Sequence, residues 1–218
     1  GGGEAPDAAL GTARPALADR VIRVSVRRKA FGASEVLRDV AFEVAPGECV
    51  AILGPSGVGK STLLRIVAGL DAGFEGEVER PERIAVVFQE PVLLPWRTAV
   101  QNLTLTTGIG AEAAEAALAR VGLQGKGGLF PGQLSLGQQR RLALARALAA
   151  RPELLILDEP FASLDAERAA EMLELTARLI RAERPATLFV THLPHEAKRL
   201  ADRVLRLEGQ PARLVAGR

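Results

Sequence analysis

Apolar and polar residues alternate in two stretches near the beginning of the chain. Residues 21–26 (VIRVSV) and 40–44 (VAFEV) put every second side chain on one face, which predicts antiparallel strands with one buried face. Four continuous apolar runs follow, at Cys49–Leu53, 84–88, 154–157 and 187–190. Such runs are typical of parallel strands buried on both faces, so we expect Cys49 to pack as a small apolar side chain.

Helical periodicity separates these runs. Helices are predicted at 60–68, within 98–120 with an interruption at 106–110, at 135–150 and near 166–181. The helix at 135–150 is expected to be the longest, with Ser135 as its N-cap, and Gly69 is a plausible stop for the first helix. Repeated strand, turn and helix units predict an α/β fold, a mostly parallel sheet with helices on both faces and an antiparallel β part near its start. A helical subdomain at about 91–150 is expected to be inserted into the α/β core.

Composition narrows the class of protein. The 218 residues contain 28 Lys+Arg against 26 Asp+Glu, too balanced for nucleic-acid binding through bulk charge. One cysteine excludes a disulfide framework and a Cys-based metal cluster, and no run approaches the roughly 18 apolar residues of a membrane span. We therefore expect a cytoplasmic protein. Residues 1–20, mostly Gly, Ala and Pro, predict a disordered lead before one domain at 21–218.

The strongest chemical signal is a phosphate-binding loop between the first apolar run and the first helix. The residues that fit the pattern GxxxxGK[ST] are Gly54, Pro55, Ser56, Gly57, Val58, Gly59, Lys60 and Ser61, with Thr62 following. Glycines let successive N–H groups face a phosphate, the helix N-terminus adds its dipole, and Lys60 adds a charge. Ser61 offers a hydroxyl to Mg²⁺. The alternative is a tight strand–helix turn with an accidental lysine, but the full motif in this position predicts that the chain binds ATP with Mg²⁺.

Two adjacent carboxylates end the apolar run at 154–157. In P-loop proteins an aspartate in the position of Asp158 supports Mg²⁺, and Glu159 is placed to polarise an attacking water as a general base. Read alone, the pair would also fit the acidic N-terminus of a helix after a core strand. Beside a P-loop, the catalytic interpretation is favoured.

At this point the sequence closely resembles the ATP-binding subunits of ABC transporters, from about residue 21 to residue 206. The discriminating motif is LSLGQQRR at 134–141, close to the signature LSGGQ of that family. In the same order as in the family, Gln89 matches the Q-loop, 163–165 (SLD) the D-loop and His192 the switch histidine. Phe31 lies where the family places an aromatic that stacks on adenine. Taken singly, Gln89 would fit a solvated strand end, His192 a structural histidine and Phe31 a core residue.

The resemblance implies a P-loop NTPase fold and a mechanism. Two such subunits pair head to tail, as a homodimer here, and each ATP lies between the P-loop of one and the signature of the other. That assigns Lys60 and the loop amides to phosphate, Ser61 and Gln89 to Mg²⁺ with Asp158 in support, Glu159 to the base and His192 to sensing the γ-phosphate. The signature residues that would reach the second ATP are Ser135, Gly137 and Gln138.

Membrane partners are implied as well. Transmembrane permease subunits would contact the Q-loop and the helical segment, a solute-binding protein would act indirectly, and the chain would be peripheral on the cytoplasmic face of the inner membrane. Residues 88–97 (FQEPVLLPWR) resemble a run of the nitrate, sulfonate and taurine import branch, although Trp96 would also fit a core aromatic. The main alternative is an ABC-type ATPase without a transport role. A scaffold that binds ATP without hydrolysing it is a second one, disfavoured by Glu159 and His192.

Two features of the signature leave questions open. Leu136 stands where the family favours glycine; an early helical turn with φ below zero accepts leucine, whereas a backbone that needs φ above zero does not. We expect a working signature because Ser135 and Gly137 are present. The pair Arg140 and Arg141 is interpreted as a solvated helix face.

Overall fold

A computed structural model describes residues 21–215 of the chain. Its strands are β1 (Ile22–Phe31), β2 (Ser34–Val44), β3 (Cys49–Leu53), β4 (Glu75–Glu79), β5 (Ile84–Val87), β6 (Leu154–Asp158), β7 (Ala186–Thr191), β8 (Arg203–Gly209) and β9 (Ala212–Val215). Its helices are α1 (Lys60–Val67), α2 (Ala99–Thr107), α3 (Ala111–Arg120), α4 (Leu136–Ala149), α5 (Ala166–Glu183) and α6 (Pro194–Leu200). The predicted lead at 1–20 lies outside the described residues.

The described strands form one mixed sheet in the order β4-β1-β2-β9-β8-β3-β7-β6-β5. Within the run β8-β3-β7-β6-β5 adjacent strands are parallel, whereas β8 is antiparallel to β9 and β1 is antiparallel to β2 and β4. The α/β prediction is confirmed. Because parallel strands end at the same edge, the residues after β3, β5, β6 and β7 meet there.

Side chains on the central strands alternate between two cores. In β6, Leu154 and Ile156 pack with α1 and the β1–β2 hairpin, whereas Leu155 and Leu157 pack with α2–α5. The backbone period of two sends neighbouring residues to opposite faces, so a continuous apolar run is needed where both faces are covered. Cys49 is buried, as expected.

A β-bulge changes which residues of β1 face the interior. The register against β4 advances from Val26 opposite Gly76 to Arg28 opposite Glu75, so one extra residue lies in β1. Before the bulge the buried residues include Val24 and Val26; after it, Lys29 is buried and Phe31 follows two residues later. The alternating pattern at 21–26 could not show this shift.

The helical segment lies between β5 and β6 in the chain, as the pattern predicted. The interruption at 106–110 matches the gap between α2 and α3, which Gly108 begins in a left-handed conformation. Among residues 21–215 the longest helix is α5, with 18 residues against 14 in α4, so the expectation that the helix at 135–150 is longest was wrong. The division into a core and an inserted subdomain stays a prediction.

Four of the strands and α-helices given above were not predicted from the sequence. β4, β8 and β9 are short and rich in charged or small residues, and the seven-residue α6 begins at a proline. Tertiary pairing stabilises such segments where local periodicity is weak. Among the described helices, none combines the length and the apolar character needed to cross a membrane.

Candidate functional site

The P-loop connects the end of β3 to the start of α1. Gly59 is the N-cap of α1 with φ of 119°, and Gly57 has φ of 78°, values that L side chains rarely adopt. A Cβ on Gly54 would lie 2.6 Å from the carbonyl oxygen of Leu207, so this position needs glycine for close packing. The loop is thus bent so that the first turn of α1 opens toward solvent, the geometry that binds a phosphate.

The side chain of Lys60 lies inside this loop and bonds its backbone. Its side chain is 3% exposed, and its ammonium donates to the carbonyl oxygens of Gly54 and Pro55, both at 2.8 Å. It also lies 3.4 Å from Oε1 of Glu159. A buried cation at the N-terminus of a helix supplies positive charge that can bind the phosphates of a triphosphate.

Asp158, at the end of β6, meets the P-loop directly. The hydroxyl of Ser61 donates to Oδ1 of Asp158 over 3.1 Å. Burial raises the pKa of Asp158 above its ordinary value; the bond from Ser61 opposes this effect, and the neighbouring Glu159 adds to it. Two of the three residues predicted to hold or support Mg²⁺, Ser61 and Asp158, are therefore in contact across the site.

Glu159 follows Asp158 in a left-handed backbone conformation, with φ of 43°. Its Oε1 lies between two nitrogens, at 3.4 Å from Lys60 Nζ and 3.6 Å from His192 Nδ1. His192 follows β7 and is 39% exposed at its side chain. The predicted base and the predicted switch histidine are neighbours.

Two buried residues that the sequence reasoning missed brace the turn around His192. The hydroxyl of Thr191 donates to the carboxylate of Glu196 in α6 and accepts the N–H of Leu193 over 3.0 Å. Burial raises the pKa of Glu196, with the bond from Thr191 acting against it. Neither residue belongs to a recognisable motif, so no sequence signal pointed to them.

One depression of about 510 Å³ gathers the P-loop residues, Gln89 and Glu159, while Asp158 and His192 adjoin it through Ser61 and Glu159. The lining residues are Val36, Ser56, Gly57, Gly59, Lys60, Ser61, Thr62, Gln89 and Glu159. Gln89 is exposed beyond β5. Hydroxyl, amide and carboxylate oxygens from Ser61, Gln89 and Asp158 are ligands that Mg²⁺ accepts alongside substrate phosphates, so the residues present fit that ion.

Phe31 lies at the tip of the β1–β2 hairpin and is 56% exposed, which argues against a core role. The ammonium of Lys29 lies over its ring, 4.4 Å from the centroid. Lys29 is itself buried and is held by Asp71 at 2.7 Å and by the carbonyl of Gly73 at 2.9 Å. A buried ammonium, held in place by two contacts of its own, thus lies against one face of an exposed aromatic ring.

The signature residues lie elsewhere on the surface. Ser135 caps α4 and forms a capping box with Gln138, as the N-cap prediction required. Ser135, Gly137 and Gln138 line a second depression of about 230 Å³ that shares no lining residue with the P-loop depression. Leu136 is the first residue of α4 and is 44% exposed. The structure therefore brings the P-loop, Gln89, Asp158, Glu159 and His192 together but leaves the signature separate.

The interpretation of Arg140 and Arg141 as a solvated face was wrong for Arg140. Arg140 is 5% exposed and donates from Nη1 to the carbonyl oxygen of Pro160 over 2.8 Å. Arg141 is half-buried and bonds Glu171 at 3.1 Å. The turn of α4 places residue 140 against the loop after β6, a neighbour that is distant in the sequence.

Comparisons with known proteins point to one family. Residues 37–162 match the family model described as ABC transporter. The aliphatic sulfonates import ATP-binding protein SsuB 2 of Rhizobium johnstonii is 48% identical over 88% of this chain and 78% of its own length. The SsuB 1 protein of Frankia alni is 50% identical over 84% of this chain and 70% of its own length.

Solved structures of ABC proteins are similar to this chain in fold, at lower sequence identity. A dimeric ATP-binding cassette in a post-hydrolysis state, bound to ADP and Pi, superposes with a TM-score of 0.76 at 28% identity, over 89% of this chain and 97% of that chain. A metal-chelate type ABC transporter in an inward-facing conformation gives 0.78 at 26% identity, over 90% and 83%.

Proposed function

The chain belongs to the ABC transporter family, and from that premise we propose that it is the ATP-hydrolysing subunit of an importer for aliphatic sulfonates or closely related small anions. It is an ABC ATPase with the P-loop NTPase fold. The observation that carries the proposal is the single depression in which Lys60, Ser61 and Glu159 converge. The comparisons give a non-transport role no support.

We assign the residues of the depression to steps of ATP hydrolysis. The amides of residues 56–62 and the ammonium of Lys60 bind the phosphates. Ser61 and Gln89, with Asp158 behind them, hold Mg²⁺, which supplies positive charge to the phosphate oxygens. Glu159 accepts a proton from the attacking water, and His192 contacts the γ-phosphate beside it. The 3.4 Å and 3.6 Å separations from Oε1 of Glu159 to Lys60 and His192 support this arrangement.

The nucleobase is proposed to stack on Phe31. The ring is exposed, and the ammonium of the buried Lys29 lies 4.4 Å from its centroid. Stacking uses the π face, so phenylalanine serves without a hydroxyl.

A second subunit completes the site. Ser135, Gly137 and Gln138 line their own depression, so they need a ligand presented from outside this protomer. We propose a head-to-tail homodimer in which these residues contact the ATP of the partner. A dimeric arrangement in the related post-hydrolysis cassette supports this step.

The permease is proposed to contact the segment just after the Q-loop. Val92 and Trp96 are 59% and 67% exposed, unusual values for large apolar residues. An apolar surface next to Gln89 lets movement of the permease reach the metal site. On this proposal the chain is peripheral at the cytoplasmic face of the inner membrane, and a solute-binding protein acts on the permease from the other side.

The solute class rests on relatives and on one sequence run. Proteins 48–50% identical to this chain bear the name aliphatic sulfonates import ATP-binding protein. Residues 88–97 (FQEPVLLPWR) fit the same branch. The ATPase subunit does not meet the solute, so the choice between nitrate and the aliphatic sulfonates, taurine among them, needs a transport measurement.

The test pairs transport with catalysis. Deletion of the gene is expected to reduce uptake of labelled aliphatic sulfonates, and the wild-type gene should restore it while Glu159→Gln should not. In purified protein, Glu159→Gln should bind ATP, lose about 10²–10⁴-fold in turnover and accumulate as a dimer with ATP and Mg²⁺. Unchanged uptake of sulfonate, taurine and nitrate in the deletion strain would refute the solute class. Wild-type turnover in the variant would refute the site.

A further inference from the structure

Arg140 is a buried cation outside the depression that holds the phosphate-binding residues. It lies one turn into α4, beyond the signature residues Ser135 and Gly137. Only 5% of its surface is exposed, and Nη1 donates to the carbonyl oxygen of Pro160 at 2.8 Å. Pro160 directly follows Glu159 in the chain. The guanidinium therefore joins the signature helix to the loop that carries the proposed base.

The environment of Arg140 is costly for a cation. Its Nε has no hydrogen-bond partner among residues 21–215. Burial lowers the pKa of the guanidinium, and the charge of Glu90, next to Gln89, opposes that effect. A buried arginine with an unsatisfied nitrogen is retained against an energetic penalty, which indicates a role that an apolar residue would not fill.

The backbone that Arg140 contacts is unusual. Glu159 has φ of 43°, an uncommon conformation for a residue other than glycine, and it precedes a proline, which restricts it further. Its N–H bonds the carbonyl of Val190 and its own carbonyl accepts the N–H of Ala162, both at 3.1 Å. The bond from Arg140 to the next carbonyl is a third restraint. Uncommon conformations of this kind persist where several contacts determine them together.

We propose that Arg140 is a positioning residue that fixes the Glu159 carboxylate through the carbonyl of Pro160 and links it to the signature helix of the same subunit. This inference rests on the proposed role of Glu159 as the base. The N-terminus of α4 serves the ATP of the partner subunit, whereas Glu159 serves the ATP of its own subunit. When the two subunits of the proposed homodimer close on ATP, a shift of α4 is transmitted through Arg140 to Glu159. The two ATP sites are coupled in this way.

Arg140→Met and Arg140→Lys separate positioning from folding. Methionine keeps an apolar stem but cannot donate, whereas lysine keeps the charge and one donor within reach of the Pro160 carbonyl. The matched control is Arg146→Met, because Arg146 lies six residues further along the same helix and is also partly buried. Turnover, KM for ATP, binding of a fluorescent ATP analogue and Tm are measured for each variant.

We expect Arg140→Met to lower kcat at least tenfold, with KM and analogue affinity within about twofold of wild type. Arg140→Lys should recover a substantial part of kcat, and Arg146→Met should keep it within about twofold. The Hill coefficient for ATP should fall in Arg140→Met, a readout that a purely structural role would not move. If Arg140→Met does not fold, the intermediate kcat and reduced Hill coefficient of Arg140→Lys carry the test.

Two results would overturn the inference. One is wild-type kcat in Arg140→Met; the other is a parallel loss of kcat, affinity and Tm that Arg146→Met shares. Glu159→Gln, measured alongside, distinguishes the failures. An inactive Glu159→Gln with a fully active Arg140→Met rejects the role of Arg140 alone, whereas an active Glu159→Gln rejects the proposed base and the inference with it.

Discussion

Replacing Leu136 with glycine tests whether the departure from the LSGGQ pattern impairs the signature. Leu136 is the first residue of α4, after the N-cap Ser135, and is absent from the described residues with positive φ. Its side chain is 44% exposed and points away from the protein core. The backbone conformation at position 136 is therefore one that leucine adopts without strain.

The structure sets the size of the expected effect. Glycine within a helix is about 1 kcal/mol less favourable than alanine, and leucine is close to alanine, so Leu136→Gly should cost at most about 1 kcal/mol. For a chain of this size that corresponds to a fall in Tm of about 2–4 °C. Turnover should stay within about threefold of wild type, because the capping box of Ser135 and Gln138 does not involve the Leu136 side chain.

Leu136→Ala is the matched control. Alanine removes the bulk of the side chain but keeps a good helix-forming residue. Differential scanning fluorimetry gives Tm, and steady-state ATPase measurements with the permease present give kcat for both variants. Alanine should leave both quantities near wild type.

A rise in kcat of more than about tenfold in Leu136→Gly, equivalent to ~1.4 kcal/mol of barrier, would refute this reasoning. An equal rise in Leu136→Ala would then assign the impairment to side-chain bulk facing the partner nucleotide. A rise confined to glycine would assign it to the backbone.

Three further predictions concern buried or partly buried ionisable side chains. Lys29→Met should raise KM for ATP several-fold at little cost in kcat, because the ring of Phe31 loses its cation, and Lys29→Arg should lose less; an unchanged KM would contradict the stacking role. Asp158→Asn should lower kcat yet raise the Tm of the nucleotide-free protein. Because the pKa of Asp158 is raised in the folded state, the wild type loses stability as this carboxyl ionises, so the gain should grow as the pH rises above about 4, the ordinary pKa of an aspartate; a lower Tm at neutral pH would contradict it. Burial raises the pKa of Cys49 to about 12, so its thiolate fraction at pH 8 is about 10³-fold below that of an ordinary cysteine, and iodoacetamide should label it at a measurable rate only after unfolding.

Local sequence was sufficient for the central strands and for the phosphate-binding loop. The runs at Cys49–Leu53 and 154–157 are strands because continuous apolar residues can be buried on both faces of a parallel sheet. The loop at 54–61 follows from glycines and a lysine at fixed spacing between a strand and a helix. Ser135 as N-cap is equally local, since the capping box spans only four residues.

The position of Arg140 and the inward turn of Lys29 were decided only by the tertiary structure. Arg140 is polar, and nothing near it in the chain shows that Pro160, twenty residues on, supplies its acceptor. Lys29 faces inward because of a one-residue bulge opposite β4, a strand whose own sequence gives no clear signal. Local patterns report the period of a backbone and the ends of its elements. Which side chains meet depends on the register and crossing of segments far apart in the chain, and a single residue of slip reverses the face on which every later side chain lies.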